Sequence, residues 1–452
     1  MLKEGIHYDK TFSPVCSQRA IRGMWHIAVM VGCVPFLFDV EVAFLNAAMD
    51  RILLIYPPAG YETYHEDGSL QVYRVDKAMY GAPQAPRCWY VHFHDLLAKA
   101  EFKRCTTDPC VWIWGSLSGQ FYMVGIHVDD VMRVTNLPPE KADKWFVSDV
   151  CKSLKLSELG RADMHCGIQA KFLPNGDVLL HQERYARDVC TRFGFTGCKP
   201  VKVPIRPEVK YVKDDPSDVV LSEADASLFR QKMGAVAFGS SNCWIRLVFA
   251  MLALGQYLHK PTEKAMAGVN HVLQWLAHNA LNGMYLKCPR AKDLQKLNPL
   301  MYVDGAYMNL QLGRSTLAYS LHTVVGLLFA KCGKTDVVAS SSTEVELIAL
   351  VFGMKAAMWY RNWFAELGVV FDVPSTVKED NQASIFIWED VSISDRTKHI
   401  QMKIWFAREK LNKGIFQLEH CPTELMWADV MTKAHHEREF KNLFQLLTGQ
   451  AL

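Results

Sequence analysis

Three observations predict a multidomain chain of the α+β and α/β kind. Over roughly the first 200 residues, short apolar strands alternate with helical stretches. From about 222 to 297, apolar residues recur at helical spacing. From Pro299 onward the order reads β-β-β-α-β-α-β-α, which suits a mixed sheet flanked by helices. The chain has 452 residues, half of them hydrophobic and 21% charged, which is apolar mass for two or three domains.

In the first region, residues 1–205, the apolar run Phe36 to Val40 reads as a strand and Trp89 to Glu101 as a helix. Phe121 to Val128 and Val131 to Val134 read as two strands of a hairpin, and Glu183 to Phe193 as a further helix. A connection follows, marked by Val203-Pro204-Ile205-Arg206-Pro207 and the polar run Lys213 to Asp218. In the second region, 206–297, Leu247, Met251, Leu254, Tyr257 and Leu258 share one helical face, as do Val269, Val272, Leu273 and Leu276. In the third region, 298–452, strands are expected at Met301 to Asp304, Leu317 to Ala330 and Asp336 to Ser340. A long helix is expected at Glu344 to Leu367, and a strand at Pro374 to Glu379. A basic helix at Lys398 to Lys413, a strand at Ile415 to His420, and a last helix at Glu424 to Lys433 with a tail complete the chain.

Net charge is only +3, so bulk charge does not identify a nucleic-acid binder, and any binding surface must be local. The 13 cysteines are scattered without C-x-x-C spacing, which reads as reduced intracellular thiols with no zinc site. The longest apolar stretch, Met24 to Phe38, is short for a bilayer span and contains His26, Gly32 and Pro35, so no transmembrane helix is expected.

Chemistry is suggested by acids at element ends. Asp39 closes an apolar strand, and Asp129-Asp130 sit at the tip of the hairpin. Adjacent like charges repel, and divalent cations bound between three carboxylates offset that repulsion. Taken alone, an Asp-Asp pair at a hairpin tip is ordinary turn chemistry. A second set comprises Asp304 after a strand, Glu344 and Glu346 at the start of the long helix, Asp380 after a strand, and Asp429 in the late helix. Several carboxylates aimed at one point from rigid elements suit two-metal phosphodiester chemistry. Singly, each is a solvated acid, and Glu344 also fits a capping arrangement with Ser341.

The words around these acids carry a resemblance. Tyr8-Asp9-Lys10-Thr11-Phe12-Ser13-Pro14-Val15, Asp39-Val40-Glu41-Val42-Ala43-Phe44-Leu45-Asn46, Lys77-Ala78-Met79-Tyr80-Gly81-Ala82-Pro83-Gln84-Ala85-Pro86-Arg87 and His127-Val128-Asp129-Asp130 come in one order. Further on stand Tyr302-Val303-Asp304, Arg314-Ser315-Thr316, Ser341-Ser342-Thr343-Glu344-Val345-Glu346, Glu379-Asp380-Asn381-Gln382, Arg396-Thr397-Lys398-His399-Ile400 and Ala428-Asp429-Val430-Met431-Thr432-Lys433. Together they resemble the reverse transcriptase and ribonuclease H region of copia-type LTR retrotransposon Pol polyproteins, from about Gly5 to Gly449.

That resemblance implies a reverse-transcriptase palm with partial fingers in 1–205, a helical thumb or connection in 206–297, and a ribonuclease H fold in 298–452. It implies a polymerase triad of Asp39, Asp129 and Asp130, with Phe44 as the block to a 2′-hydroxyl and Gln84 and Arg87 near the substrate. It also implies ribonuclease H acids Asp304, Glu346, Asp380 and Asp429. Glu344 stays open beside Glu346, although Leu347-Ile348-Ala349 after Glu346 suits the fold better. Lys398 and His399 are implied as substrate contacts, and Arg396, Lys398, Lys403, Arg408, Lys410 and Lys413 as a phosphate-facing basic stretch. The cofactor implied is Mg2+, two ions per site, with Mn2+ as a substitute. The partners implied are an RNA template, a DNA primer, RNA–DNA hybrid and deoxynucleoside triphosphates. The setting implied is intracellular, in a cytoplasmic capsid-like particle and in the nucleus.

There are departures. His127 stands for an aromatic residue, Pro83 for a lysine, Asn242-Cys243-Trp244-Ile245-Arg246 for a "TRPDI"-like phrase, and Tyr307-Met308-Asn309-Leu310 for a more polar loop. Copia-type polymerases carry a fingers segment before the Tyr8-to-Val15 phrase, so an N-terminally truncated polymerase is expected. The ribonuclease H half is then expected to be the more intact, and whether polymerase activity survives without the fingers is left open by the sequence. The alternative is a catalytically silent nucleic-acid-binding remnant.

Overall fold

Strand Phe121–His127 is buried at nearly every position, which is why it reads as an unbroken apolar run and sits inside a sheet. The structure is a computed structural model and describes residues 3–211, 215–310, 313–382, 384–385 and 401–449. The chain divides into two compact units: Met1–Met24, Cys33–Ala162 and Glu366–Gly368 form one, and Trp25–Gly32, Asp163–Ala365 and Val369–Leu452 the other. Helix α1 (Gln18–Val31) contributes to both. Residues 163–205, read from the sequence as the end of the first domain, fall in the second unit.

The first unit holds strands β1 (Phe36–Val40), β2 (Ala48–Ile55), β3 (Tyr73–Lys77), β4 (Lys103–Arg104), β5 (Val111–Gly115), β6 (Phe121–His127), β7 (Asp130–Thr135) and β8 (Leu156–Arg161). Its helices are α2 (Ala43–Asn46), α3 (Ala85–Lys99) and α4 (Pro139–Trp145). Six strands form one sheet in the order β4-β5-β6-β7-β1-β8, and β2 and β3 form a separate ribbon. On α3, Ala85, Cys88, Trp89, Phe93 and Leu97 are buried at helical spacing. They join Phe38, Trp112, Tyr122 and Phe146 in one aromatic core. Each such large side chain contributes roughly 1.5–3 kcal/mol on burial. Arg133 is buried too, paired with Asp143, which also accepts from the Tyr122 hydroxyl at 3.1 Å.

The second unit holds β9 (Met164–His165), β10 (Ile168–Phe172), β11 (Val178–His181) and β12 (Gly283–Leu286) in a four-stranded sheet of order β12-β11-β10-β9. Helices α5 (Glu183–Arg192), α6 (Glu223–Asn242), α7 (Val248–Gly255) and α8 (Glu263–His278) belong to the same unit. The mostly helical reading of 222–297 missed β12, four residues whose partner strand lies about a hundred positions earlier.

A five-stranded mixed sheet follows, in the order β15-β14-β13-β16-β17. Strands β13 (Leu300–Ala306), β14 (Thr316–Thr323) and β15 (Gly326–Lys334) are antiparallel, whereas β16 (Ser375–Glu379) and β17 (Phe416–His420) run parallel to their neighbours. Helix α9 (Ser342–Glu366) covers one face. It lies so close that a Cβ on Gly353 would come within 2.5 Å of Met301 Sδ and 2.8 Å of Val303 Cγ1. Helices α10 (Gln401–Asn412) and α11 (Glu437–Thr448) complete the unit.

Two expectations are corrected here. The run Leu317 to Ala330 is a hairpin rather than one strand, turning at Val324–Val325, so Asp336 to Ser340 is not a strand but the approach to α9. The last helix is not Glu424 to Lys433, which forms only two short 3-10 turns, but α11, whose Phe440, Leu443, Phe444 and Leu447 are buried. Among the described residues no helix is long and apolar enough to cross a membrane. All 13 cysteines are free thiols.

Candidate active sites

The first centre is built by strand pairing. Antiparallel register sets Asp39 of β1 directly opposite Asp130 of β7. His127 pairs with Asp130 across the β6–β7 hairpin, which leaves Val128 and Asp129 as a two-residue turn. The backbone N–H of Val40 donates to the Asp129 carbonyl at 3.0 Å, tying the turn to β1. The hairpin with paired aspartates at its tip is therefore as the sequence predicts.

The backbone around these acids is strained. Val128 has φ 62° and Val42, three residues after Asp39, has φ 46°, both in the left-handed region that β-branched residues avoid. Each costs of order 1–3 kcal/mol and persists only where surrounding contacts impose it. At Val128 the contact is clear: buried Trp89 donates its indole N–H to the Val128 carbonyl at 2.7 Å. Burial raises the pKa of Asp39, and Asp129 and Glu41 add to the rise. Burial likewise raises Asp130, followed by Asp129 and Asp39. Glu41 is engaged elsewhere, with Lys155 at 2.7 Å and the Ser157 hydroxyl at 2.9 Å. The three aspartates are left facing one another's charge.

Phe44 is half-buried on α2, its ring 4.6 Å from that of Tyr80. Gln84 is fully buried, donating to the His7 carbonyl at 3.1 Å, so it braces the N-terminal segment from inside. Arg87 lines a cavity of about 350 Å³ together with Asp9, Lys10, Asp50 and Arg51.

The second centre is tighter. Met301 pairs with Val377 and Tyr302 with Lys378, and that parallel register, carried two residues further, sets Asp304 beside Asp380. Glu346 reaches the same point from the second turn of α9. Asp304, Glu346 and Asp380 each bring a carboxylate oxygen within 4.8 Å of the others, the one such trio among the described residues. Thr432 donates its hydroxyl to Asp304, and Thr423 donates to Asp380 at 3.1 Å. Asp429 pairs with Lys433 at 2.6 Å and its charge acts on Asp304 and Asp380.

Glu344 is accounted for separately. Its Oε2 accepts from the Ser340 N–H and hydroxyl, both at 2.7 Å, while its own N–H donates to Ser341 Oγ at 3.2 Å. It closes the helix N-terminus, as a capping residue does, and Glu346 is the acid that joins Asp304 and Asp380.

Burial pushes Asp304 up to about 7, with Asp429 and Asp380 adding to it, and raises Glu346 well above the carboxylate range. Sequence reading missed Glu379, which is fully buried and pushed up to about 8 by burial, and also missed the hydroxyl of Thr432 and the ammonium of Lys433 as partners of the acids. The signal for Glu379 was an acid at a position where strand alternation calls for an apolar residue.

Lys398 and His399 lie outside the described residues, as does Arg396. In the remaining basic stretch, Lys410 and Lys413 both pair with Glu409, at 3.1 and 2.6 Å.

Hard carboxylate oxygens fit divalent cations. Glu346 Oε2 is buried with no hydrogen-bond partner among the described residues. The C-terminal trio therefore has the donor set and the unmet charge that such an ion would satisfy.

Residues 2–207 match the family described as reverse transcriptase (RNA-dependent DNA polymerase). The chain is 25% identical over 450 residues to the retrovirus-related Pol polyprotein from transposon RE1 of Arabidopsis thaliana, with 97% of this chain and 29% of that protein covered. Against the Pol polyprotein from transposon TNT 1-94 of Nicotiana tabacum it is 24% identical, with 97% of this chain and 32% of the relative covered. It thus spans about three tenths of the length of these relatives. Among solved structures, it is similar to a foamy viral protease-reverse transcriptase in complex with double-stranded DNA, at 10% identity and TM-score 0.42, with 86% of this chain and 57% of that one covered. It is also similar to RNase H1 from Halobacterium salinarum, at 19% identity and TM-score 0.23, with 29% of this chain and 92% of that one covered.

Proposed function

We propose, for a chain that carries the reverse-transcriptase region of a copia-type Pol polyprotein, two activities at two carboxylate centres. One is RNA-directed DNA synthesis at Asp39, Asp129 and Asp130. The other is hydrolysis of the RNA strand of RNA–DNA hybrid at Asp304, Glu346, Asp380 and Asp429. The observation that carries the second assignment is the convergence of Asp304, Glu346 and Asp380 within 4.8 Å.

Both centres suit magnesium, which when bound polarises phosphate oxygens and lowers the pKa of a bound water or hydroxyl. The chain's own residues set the geometry. At the first centre, β1 and β7 hold Asp39 and Asp130 as a pair while Trp89 fixes the turn that carries Asp129. Phe44, beside that centre on α2, is the side chain proposed to meet a ribonucleotide's 2′-hydroxyl. Lys10 and Arg87 offer cations to a phosphate at the cavity they line, where Arg51 is paired with Asp9. At the second centre, Thr432 orients Asp304, and Lys433 holds Asp429.

The test is paired. Purified protein with Mg2+ should extend a DNA primer on RNA and cut RNA in a hybrid. Asp130→Asn should lower extension alone, and Asp380→Asn cleavage alone, each by roughly a hundredfold or more. Full cleavage by Asp380→Asn rejects the second assignment. Binding of hybrid with neither activity favours a silent remnant.

A further inference from the structure

The loop that leaves β13 runs Tyr307-Met308-Asn309-Leu310, and Asn309 is its one side-chain amide. Met308 has φ 48°, and its N–H donates to Ser315 Oγ at 3.0 Å, which turns the loop back toward β14. Asn309 Oδ1 then accepts from the Thr316 N–H at 3.0 Å and from the Thr316 hydroxyl at 2.9 Å. A backbone N–H can only donate, so the amide is oriented with its oxygen toward β14 and its NH2 group away from it. That group donates to the Thr432 carbonyl at 2.7 Å, 123 residues further along the chain. Thr432 is fully buried, and its hydroxyl donates to Asp304 and lies 2.9 Å from the Asp429 carbonyl. One residue thus touches two of the acids, and Asn309 holds that residue by its backbone. The turn that carries the second acid, Asp429–Met431, is only three residues long, too short to be held by hydrogen bonds of its own.

We propose that Asn309 is a positioning residue for the C-terminal cation site. It ties the β13–β14 loop to Thr432, and through Thr432 it sets the orientation of the Asp304 carboxylate and the placement of the Asp429 turn. The effect is geometric: Asn309 is neutral and touches none of the acids, so what it contributes is the fixed position of their common partner. Groups that orient a ligand in this way govern ion affinity without meeting the ion. Asn309 is itself exposed, so its replacement leaves the buried core in place. The inference rests on reading Asp304, Glu346 and Asp380 as a cation site.

The experiment uses the full chain with Asp39→Asn and Asp130→Asn, so that the C-terminal centre alone answers, and Mn2+ as the probe. Free Mn2+ is followed by its paramagnetic resonance signal, well below the melting temperature recorded in EDTA. Asn309→Ala should bind Mn2+ roughly three- to tenfold more weakly, and Thr432→Val, which removes the direct partner of Asp304, roughly ten- to a hundredfold. Adding Asn309→Ala to Thr432→Val should change the affinity by less than about twofold, because the path through Thr432 is already cut. Asn309→Leu, of nearly the same volume, should repeat the result and serves if Asn309→Ala does not fold. A merely structural role would lower the melt and leave the affinity alone, or weaken binding to the same extent with and without Thr432→Val. Either result, or failure of both Asn309 variants to fold, overturns the proposal. Asp380→Asn separates the premise: if the parent binds no Mn2+, or Asp380→Asn binds it equally well, the cation site is rejected and the role of Asn309 with it. Loss of binding in Asp380→Asn beside unchanged binding in Asn309→Ala rejects Asn309 alone.

Discussion

Asp39 and Asp130 are direct cross-strand partners on the antiparallel strands β1 and β7. Two acids opposite each other weaken a sheet, by a few tenths of a kcal/mol to about 1 kcal/mol per pair. Asp130→Asn should therefore raise stability by about 0.5 kcal/mol in EDTA while removing primer extension. Urea melts and an extension assay on the same preparation check both. A loss of stability in EDTA would mean that the pair is compensated by something other than a cation.

Trp89 links the first core to the hairpin turn through its bond to the Val128 carbonyl. Trp89→Phe keeps most of the buried ring and removes the donor. The expected cost is about 1 kcal/mol, with primer extension falling while hybrid cleavage stays level. Equal loss of both activities would point to general unfolding.

Glu344 and Glu346, two residues apart on α9, should separate cleanly. Glu344→Gln weakens the helix terminus by about 1 kcal/mol and leaves cleavage intact. Glu346→Gln should abolish cleavage and leave stability in EDTA unchanged or raised. Loss of cleavage in the first variant would show that the two acids work together.

His322 gives the pH dependence. Burial holds it down to about 3, well below the usual imidazole value, and His26 adds to the depression. It bonds Ser320 Oγ at 2.9 Å and packs edge-on to Trp427 at 4.6 Å. The folded state binds its proton less readily than the unfolded chain does. Its contribution is thus fully present above about pH 6.5 and is lost as pH falls from there toward about 3. The slope is about 1.4 kcal/mol per pH unit within that window. His322→Phe should flatten the acid limb in a series of urea melts. An unchanged limb would exclude His322 as its source.

Elements with an internal period were readable from the sequence. Helix α3 and strand β6 announce themselves through residues that touch their own neighbours in the chain, and the Asp129-Asp130 hairpin follows from them. Elements defined by distant partners were not. Strand β12 exists because β11 lies beside it, and the β14–β15 hairpin hides its turn at Val324–Val325, two apolar residues. Within the sites, acids at strand and helix ends were visible as motifs. The preference for Glu346 over Glu344 came from the Leu347-Ile348-Ala349 that follow it, and the Ser340 and Ser341 contacts of Glu344 supply its physical reason. Gln84 was placed near the substrate by resemblance, and the burial that ties it to the His7 carbonyl was not visible in its motif.

Gly353 has a consequence for how tolerance is distributed over the chain. It sits seven residues from Glu346, and the helix touches the sheet there with no room for a methyl group. An alanine at that point would pry α9 away from Met301 and Val303, and the rigid rod would carry its upstream acid off the target. If the trio is the cleavage centre proposed above, the smallest of side chains at Gly353, about 10 Å along the axis from Glu346, is enough to disturb it. Mutational damage to such a centre will be found along the whole helix seam as well as in its motifs.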